Sequence, residues 1–172
     1  IQAYCSLRFT EDELAYLDTH YYGGIKKWHW VAKPLAMHGV VVKKDGTVIE
    51  VNIGEDEDDP VFFISDLLIH LAAEQLEKKA AKVIEGEALD IVVGTMPFVS
   101  DEEEKEAVKK NILNILKDKY DMEEEDFLSA EIEVVPAGKA REAGFDRSLI
   151  LAYGHDDRVC AYSSLEAMLE VN

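Results

Sequence analysis

Met37-His38-Gly39-Val40-Val41-Val42-Lys43-Lys44-Asp45-Gly46-Thr47-Val48-Ile49-Glu50-Val51-Asn52-Ile53 is the stretch that decides the fold of this chain. Two runs rich in β-branched residues flank Asp45-Gly46, a dipeptide suited to the positive φ angles of a tight turn. The stretch predicts an antiparallel hairpin, residues 37–44 against 47–53. Outward from it, 61–64 reads as a short strand and 90–95 as a buried one, with Ile91-Val92-Val93 at its centre. In 127–135, Ala130, Ile132 and Val134 alternate with Glu131 and Glu133, the period of a strand.

Helices fill the spaces between. Thr10 and Glu13 have capping-box spacing and predict a helix over 11–17. Ser65 caps a second, carrying Leu67, Leu68 and Leu71 with His70 on its second turn. Helix continues over 76–84, where alanine, lysine and glutamate favour it. Ser100 caps a third, 101–117, whose acidic start suits the positive end of the helix dipole. Val108, Ile112, Ile115 and Leu116 give it one apolar face. A last helix is expected over 158–171, with Val159, Tyr162, Leu165, Ala167 and Leu169 to pack. The fold class is α/β, a mixed α+β chain: a largely antiparallel module with helices through Val135, then a connection over 136–144 that marks a boundary.

The 172 residues allow one ordinary domain, or one and part of another, and 48% of them are hydrophobic. Eighteen basic against 36 acidic residues leave a net charge of -18, which disfavours nucleic-acid phosphates and anionic membrane surfaces as partners. The acidity itself is read as solubility. No apolar run approaches the roughly 20 residues needed to cross a bilayer. Cys5 and Cys160 stand far apart outside any CxxC pair. Reduced thiols in a cytoplasmic protein are expected, with Cys160 a small core residue.

Chemistry has few candidates. His20, His29, His38, His70 and His155 form no HExxH pattern, and neither a phosphate-binding glycine loop nor a GxSxG elbow occurs. The runs Glu102-Glu103-Glu104 and Glu123-Glu124-Glu125 read as solvated helix starts. The unusual segment is Tyr153-Gly154-His155-Asp156-Asp157-Arg158. One carboxylate suffices for a helix cap; two, beside an imidazole, also offer oxygen and nitrogen ligands suited to zinc, manganese or cobalt.

That segment, with Val134-Val135-Pro136-Ala137-Gly138-Lys139-Ala140-Arg141 before it, closely resembles the aspartyl aminopeptidase or aminopeptidase I family, its bacterial branch in particular. So do Thr19-His20-Tyr21-Tyr22-Gly23-Gly24, Pro34-Leu35-Ala36-Met37-His38-Gly39 and Ile64-Ser65-Asp66-Leu67-Leu68-Ile69-His70-Leu71, in the family's order. The resemblance implies a hydrolase, a dinuclear metalloaminopeptidase that removes N-terminal residues from peptides; the family name points to acidic ones. It implies two divalent metal ions, zinc first, with cobalt or manganese as alternatives. It implies a homo-oligomer, a dimer assembled into a tetrahedral dodecamer. Residues 1–138 would be the dimerisation domain and 139–172 a strand–helix segment of the α/β catalytic domain.

By the same resemblance, Asp156 bridges the two metals, Asp157 supports the ligands or caps the helix beginning near Arg158, and His70 acts catalytically in the neighbouring subunit. A bridging carboxylate offsets the repulsion of two cations held roughly 3.5–4 Å apart. An imidazole beside the scissile carbonyl can donate to developing negative charge. From its residues alone His70 reads rather as a histidine packed on an apolar helix, and only the resemblance turns it into a functional residue.

The sequence also departs from the family pattern. The family's first histidine ligand, its Glu-Glu pair, its later acidic ligand and its final histidine find no counterpart. His155-x-Asp157 has the spacing of the first ligand motif but stands in another block. The chain therefore reads as a fragment, inactive alone because the general base and most ligands are missing. The rival reading is a non-catalytic dimerisation or interaction module.

Overall fold

The computed structural model describes residues 2–9 by their backbone, and 14–99 and 106–171 in full. The chain divides into two compact units, Ile1–Ala137 and Gly138–Asn172.

The first unit is built on an antiparallel sheet. Its strands are β1 (Gln2–Phe9), β2 (Ala15–His20), β3 (Leu35–Val42), β4 (Val48–Ile53), β5 (Ile91–Gly94) and β6 (Ala130–Pro136). Among the described residues they lie in the order β4-β3-β6-β1-β2-β5. The expected hairpin forms β3 and β4, in a register running from Met37 opposite Ile53 to Val42 opposite Val48. Its turn is closed by Lys43 N donating to Thr47 O at 2.8 Å and Gly46 N to Lys43 O at 2.9 Å. Gly46 has φ 87°, and Asp45 Oδ1 accepts from Thr47 N at 2.9 Å, so both members of the Asp-Gly pair serve the turn. β6 pairs with β3 on its other side and keeps the predicted alternation, Ile132 and Val134 buried and Glu131 and Glu133 exposed.

Leu35, Met37, Val41, Leu89, Ile91, Ile132 and Val134 make the buried centre of one apolar cluster. Burying a side chain of this size contributes about 1.5–3 kcal/mol. Helix α2 (Ala107–Tyr120) lies near β2 and β5 and buries Val108. It ends where Asp121 takes a left-handed conformation (φ 54°), with Asp121 N donating to Lys117 O and Met122 N to Leu116 O. That double closure satisfies the last carbonyls and turns Met122 into the core.

Several expectations need correction. Residues 15–17 belong to strand β2, with Ala15 and Leu17 buried on one face, rather than to a helix over 11–17; 11–13 lie outside the described residues. The predicted helix over 66–71 and 76–84 is replaced by the four-residue α1 (Ala73–Leu76) and 3-10 turns at Ala80–Lys82 and Gly86–Ala88. The physical reason is tertiary. Backbone bonds tie Phe62 to Leu35, Phe63 to Val92 and Ile64 to Ala32, which holds 62–64 extended just before the expected cap. Residues 127–129 are the end of a 3-10 turn, Glu124–Ser129, opened by a capping box between Glu123 and Asp126, so the strand starts at Ala130. The cap at Ser100 and the run Glu102-Glu103-Glu104 lie outside the described residues, and α2 runs on to Tyr120.

The second unit is a hairpin, β7 (Arg141–Ala143) with β8 (Leu149–Leu151), followed by α3 (His155–Glu170). Val159, Tyr162, Leu165, Met168 and Leu169 are all exposed. Cys160 is exposed as well, not a core residue as expected.

One glycine sets the spacing of the central strands. A Cβ on Gly39 would stand 1.9 Å from the Glu131 carbonyl oxygen and 2.8 Å from Ile132 Cα, both backbone atoms of β6. Gly39→Ala is expected to destabilise the fold by about 3 kcal/mol, the upper end of overpacking costs. Denaturant unfolding checks this; a loss below about 1 kcal/mol would show that β3 and β6 can part without penalty.

Candidate active-site residues

The two candidate features lie in different units. Asp156 and Asp157 open α3, and Asp156 has extended backbone (φ -89°, ψ 107°) while Asp157 is also non-helical. Regular helix therefore begins near Arg158. The peptide between the two aspartates is cis. Among the described residues neither carboxylate makes a capping hydrogen bond, and both are exposed. Among the described residues neither has a hydrogen-bond or ion-pair partner.

The surrounding turn is well defined. Gly154 has φ 77°, and a Cβ there would sit 3.4 Å from the Arg158 guanidinium. That guanidinium lies over the Tyr153 ring, 6.0 Å from its centroid. His155 Nε2 is 3.2 Å from Ile150 O, which engages the imidazole with the hairpin. Between β7 and β8, Arg147 Nε donates to Glu142 Oε2 at 2.6 Å. There too the Ser148 hydroxyl, with the Ser148 amide, holds the Asp146 carboxyl below the usual carboxylate range.

The donor set can be weighed on these observations. Carboxylates not spent on capping suit a divalent cation, so Asp156 fits the edge of a metal site. Among the described residues no three His, Cys, Asp or Glu side chains cluster closely enough to hold an ion by themselves.

His70 sits in the first unit, on a turn rather than a helix. The chain leaves the core at Ile64, 1% exposed, and returns at Ala72, 4% exposed. Everything from 65 to 71 is exposed. Leu67, Leu68, Ile69 and Leu71 are each more than half exposed, so the apolar helix face that would have packed His70 does not exist. Its imidazole has no hydrogen-bond partner among the described residues. His70 and Asp66 line an open cavity of about 740 Å³ with Gln75, Lys78 and Glu85.

The remaining candidates are structural. His38 Nε2 meets Glu55 Oε1 at 2.9 Å, His29 packs edge-on against Trp28, and His20 stacks on Tyr21. Glu123 and Glu124 pair with Lys117 and Lys109, and Glu125 with Lys44, as a solvated face would. Sequence reasoning missed the Asp66–Gln75 contact, in which Gln75 Nε2 donates to Asp66 Oδ1 at 2.8 Å. A separation of nine residues fits neither helical nor strand periodicity, so only the folded loop reveals it.

The fold is shared with solved aminopeptidases. The structure superposes on an M18-family aminopeptidase from Thermotoga maritima with a TM-score of 0.89 at 52% identity, covering 99% of this chain and 37% of that one. On aminopeptidase I from Clostridium acetobutylicum the TM-score is 0.87 at 59% identity, again over 99% and 37% of the two chains. The chain belongs to the aminopeptidase I zinc metalloprotease family (M18), whose sequence model matches residues 6–172. It is 64% identical over 163 residues to a probable M18 family aminopeptidase 1 of Clostridium acetobutylicum, a match covering 95% of this chain and 35% of the relative. The chain thus spans about a third of the length of the curated relatives it matches.

Proposed function

We propose that this chain supplies two parts of a metal-dependent aminopeptidase that removes N-terminal residues, acidic ones by the family's name, from peptides. The observation that carries the reading is the family match over residues 6–172, with Asp156 of the Tyr153-Gly154-His155-Asp156-Asp157 segment left without a partner among the described residues. Residues 139–172 contribute to the catalytic domain. The exposed apolar faces of α3 support this, since a helix apolar on several sides belongs inside a larger core. Residues 1–138 form the dimerisation domain, in a dimer that assembles further into a tetrahedral dodecamer. The compartment is the cytoplasm, a reading that rests on cysteines outside any CxxC pair, which suit reduced thiols. No described helix is long and apolar enough to cross a membrane.

Asp156 would bridge two divalent ions, zinc by the family's description. When bound, such ions supply Lewis-acid polarisation of the scissile carbonyl. Asp157, adjacent and equally without a partner among the described residues, would orient the ligand set by hydrogen bonding. His70 projects on its loop into the neighbouring subunit's site and donates a hydrogen bond to the carbonyl oxygen as charge develops on it. The general base comes from a glutamate outside these residues.

The test uses two proteins. A polypeptide of the relatives' full length carrying these residues should hydrolyse aminoacyl chromogenic substrates, lose that activity to a chelator and regain it with zinc. The 172-residue chain alone should show none with zinc, cobalt or manganese added. Chelator-sensitive turnover by the short chain, or none by the long one, would contradict the reading.

A further inference from the structure

We propose that the Gln75–Asp66 hydrogen bond is a clamp that positions His70, making both of them positioning residues for the reaction. The inference rests on the reading above that His70 meets a substrate held by another copy.

Three observations lead to it. The loop between buried Ile64 and Ala72 has no buried side chain of its own, so packing does not fix it. Its internal bonds are short-range. Leu71 N donates to Leu68 O at 2.9 Å and Ala72 N to Ile69 O at 3.4 Å, which shapes the turn carrying His70 but does not orient that turn on the unit. Finally, among the described residues His70 has no hydrogen-bond partner to hold its ring. The direction of the imidazole is therefore set by the loop as a whole.

The clamp closes that loop from base to base. Gln75 Nε2 donates to Asp66 Oδ1 at 2.8 Å, and the same oxygen accepts from Leu67 N at 2.8 Å. Two donors on one oxygen fix the carboxylate's direction, and bonds to an ionised acceptor are the stronger kind. Gln75 lies in α1, where Leu76 N donates to Ala72 O at 2.9 Å. The buried Ala72 thus anchors Gln75, and Gln75 anchors the first residues of the loop. A donor displaced by an ångström loses much of its effect on a reacting atom, so releasing the clamp should lower turnover even though neither residue touches substrate.

The experiment uses the full-length enzyme. Gln75→Leu keeps the bulk and removes the donor. Its kcat should fall about tenfold, equivalent to about 1.4 kcal/mol, with KM little changed and the oligomer intact. Asp66→Ala should behave the same way. Asp66→Asn retains an acceptor oxygen and should restore most of the activity, which a purely electrostatic role for Asp66 would not allow. The double variant Asp66→Ala with Gln75→Leu should be no worse than either single change, because both remove one interaction. Normal kcat in Gln75→Leu beside a crippled His70→Ala enzyme would overturn the clamp, and so would losses that multiply in the double variant. If His70→Ala itself leaves kcat unchanged, the fault lies with the trans role of His70, and the clamp is then judged by amide exchange. Leu71 N–H should exchange faster in Gln75→Leu and Asp66→Ala but not in Asp66→Asn; equal exchange in all of them overturns it.

Discussion

Asp156→Ala in the full-length enzyme should reduce kcat by more than about 100-fold, because losing a group that merely supports a ligand already costs 10–100-fold. Bound metal should fall with it. The carboxylate is exposed, takes no part in capping and has no partner among the described residues, so its removal leaves the fold of α3 nothing to lose. Thermal stability of the metal-free protein should be unchanged for that reason. Asp157→Asn makes the comparison informative: it keeps hydrogen-bonding capacity next door and should cost less than Asp156→Ala. Activity and metal content are read on the same preparations. If Asp156→Ala retains normal activity and a full complement of metal, the aspartate pair is surface decoration.

The second large effect belongs to His70. His70→Ala should lower kcat by about 10²–10³, or roughly 2.7–4 kcal/mol, the typical consequence of losing one donor to a developing oxyanion. Metal content and assembly should stay normal. Stability should change by no more than about 0.5 kcal/mol, as for other surface substitutions, because the side chain is exposed and has no partner among the described residues. A histidine that served as packing would give the opposite pattern, with lower melting temperature and intact turnover.

The parts of the fold that the sequence announced are those governed by local chemistry. The hairpin of β3 and β4 followed from Asp45-Gly46 between β-branched runs, and β6 from the strict alternation around Ile132 and Val134. What the sequence concealed depends on distant partners. Ala15-Tyr16-Leu17 alternates in burial as a strand should, but the capping-box spacing of Thr10 and Glu13 pointed to a helix. Residues 66–71 have helix-favouring leucines, yet Leu67, Leu68 and Ile69 are consecutive and give no single apolar face. Their conformation is set by the backbone bonds that seize 62–64 and by the burial of Ala72. The placement of β1 between β2 and β6 joins segments more than a hundred residues apart, for which no local signal exists.

The candidate site was legible unevenly for the same reason. Asp156 and Asp157 stood out because two adjacent carboxylates exceed what a cap requires, and among the described residues neither makes a capping hydrogen bond. His70 could not be told from a packed histidine without a family resemblance, because its exposure arises from the loop's failure to become a helix. Gln75 gave no signal at all.

The most direct measurement of a site shared between subunits is mixed assembly. His70→Ala enzyme and Asp156→Ala enzyme, each nearly inactive, are combined under conditions where mass spectrometry demonstrates subunit exchange. A dimer pairing one of each contains one site where an intact Asp156 faces an intact His70, so a substantial part of the activity should return. If exchange is complete and no activity returns, His70 does not act across the subunit boundary and the account is wrong.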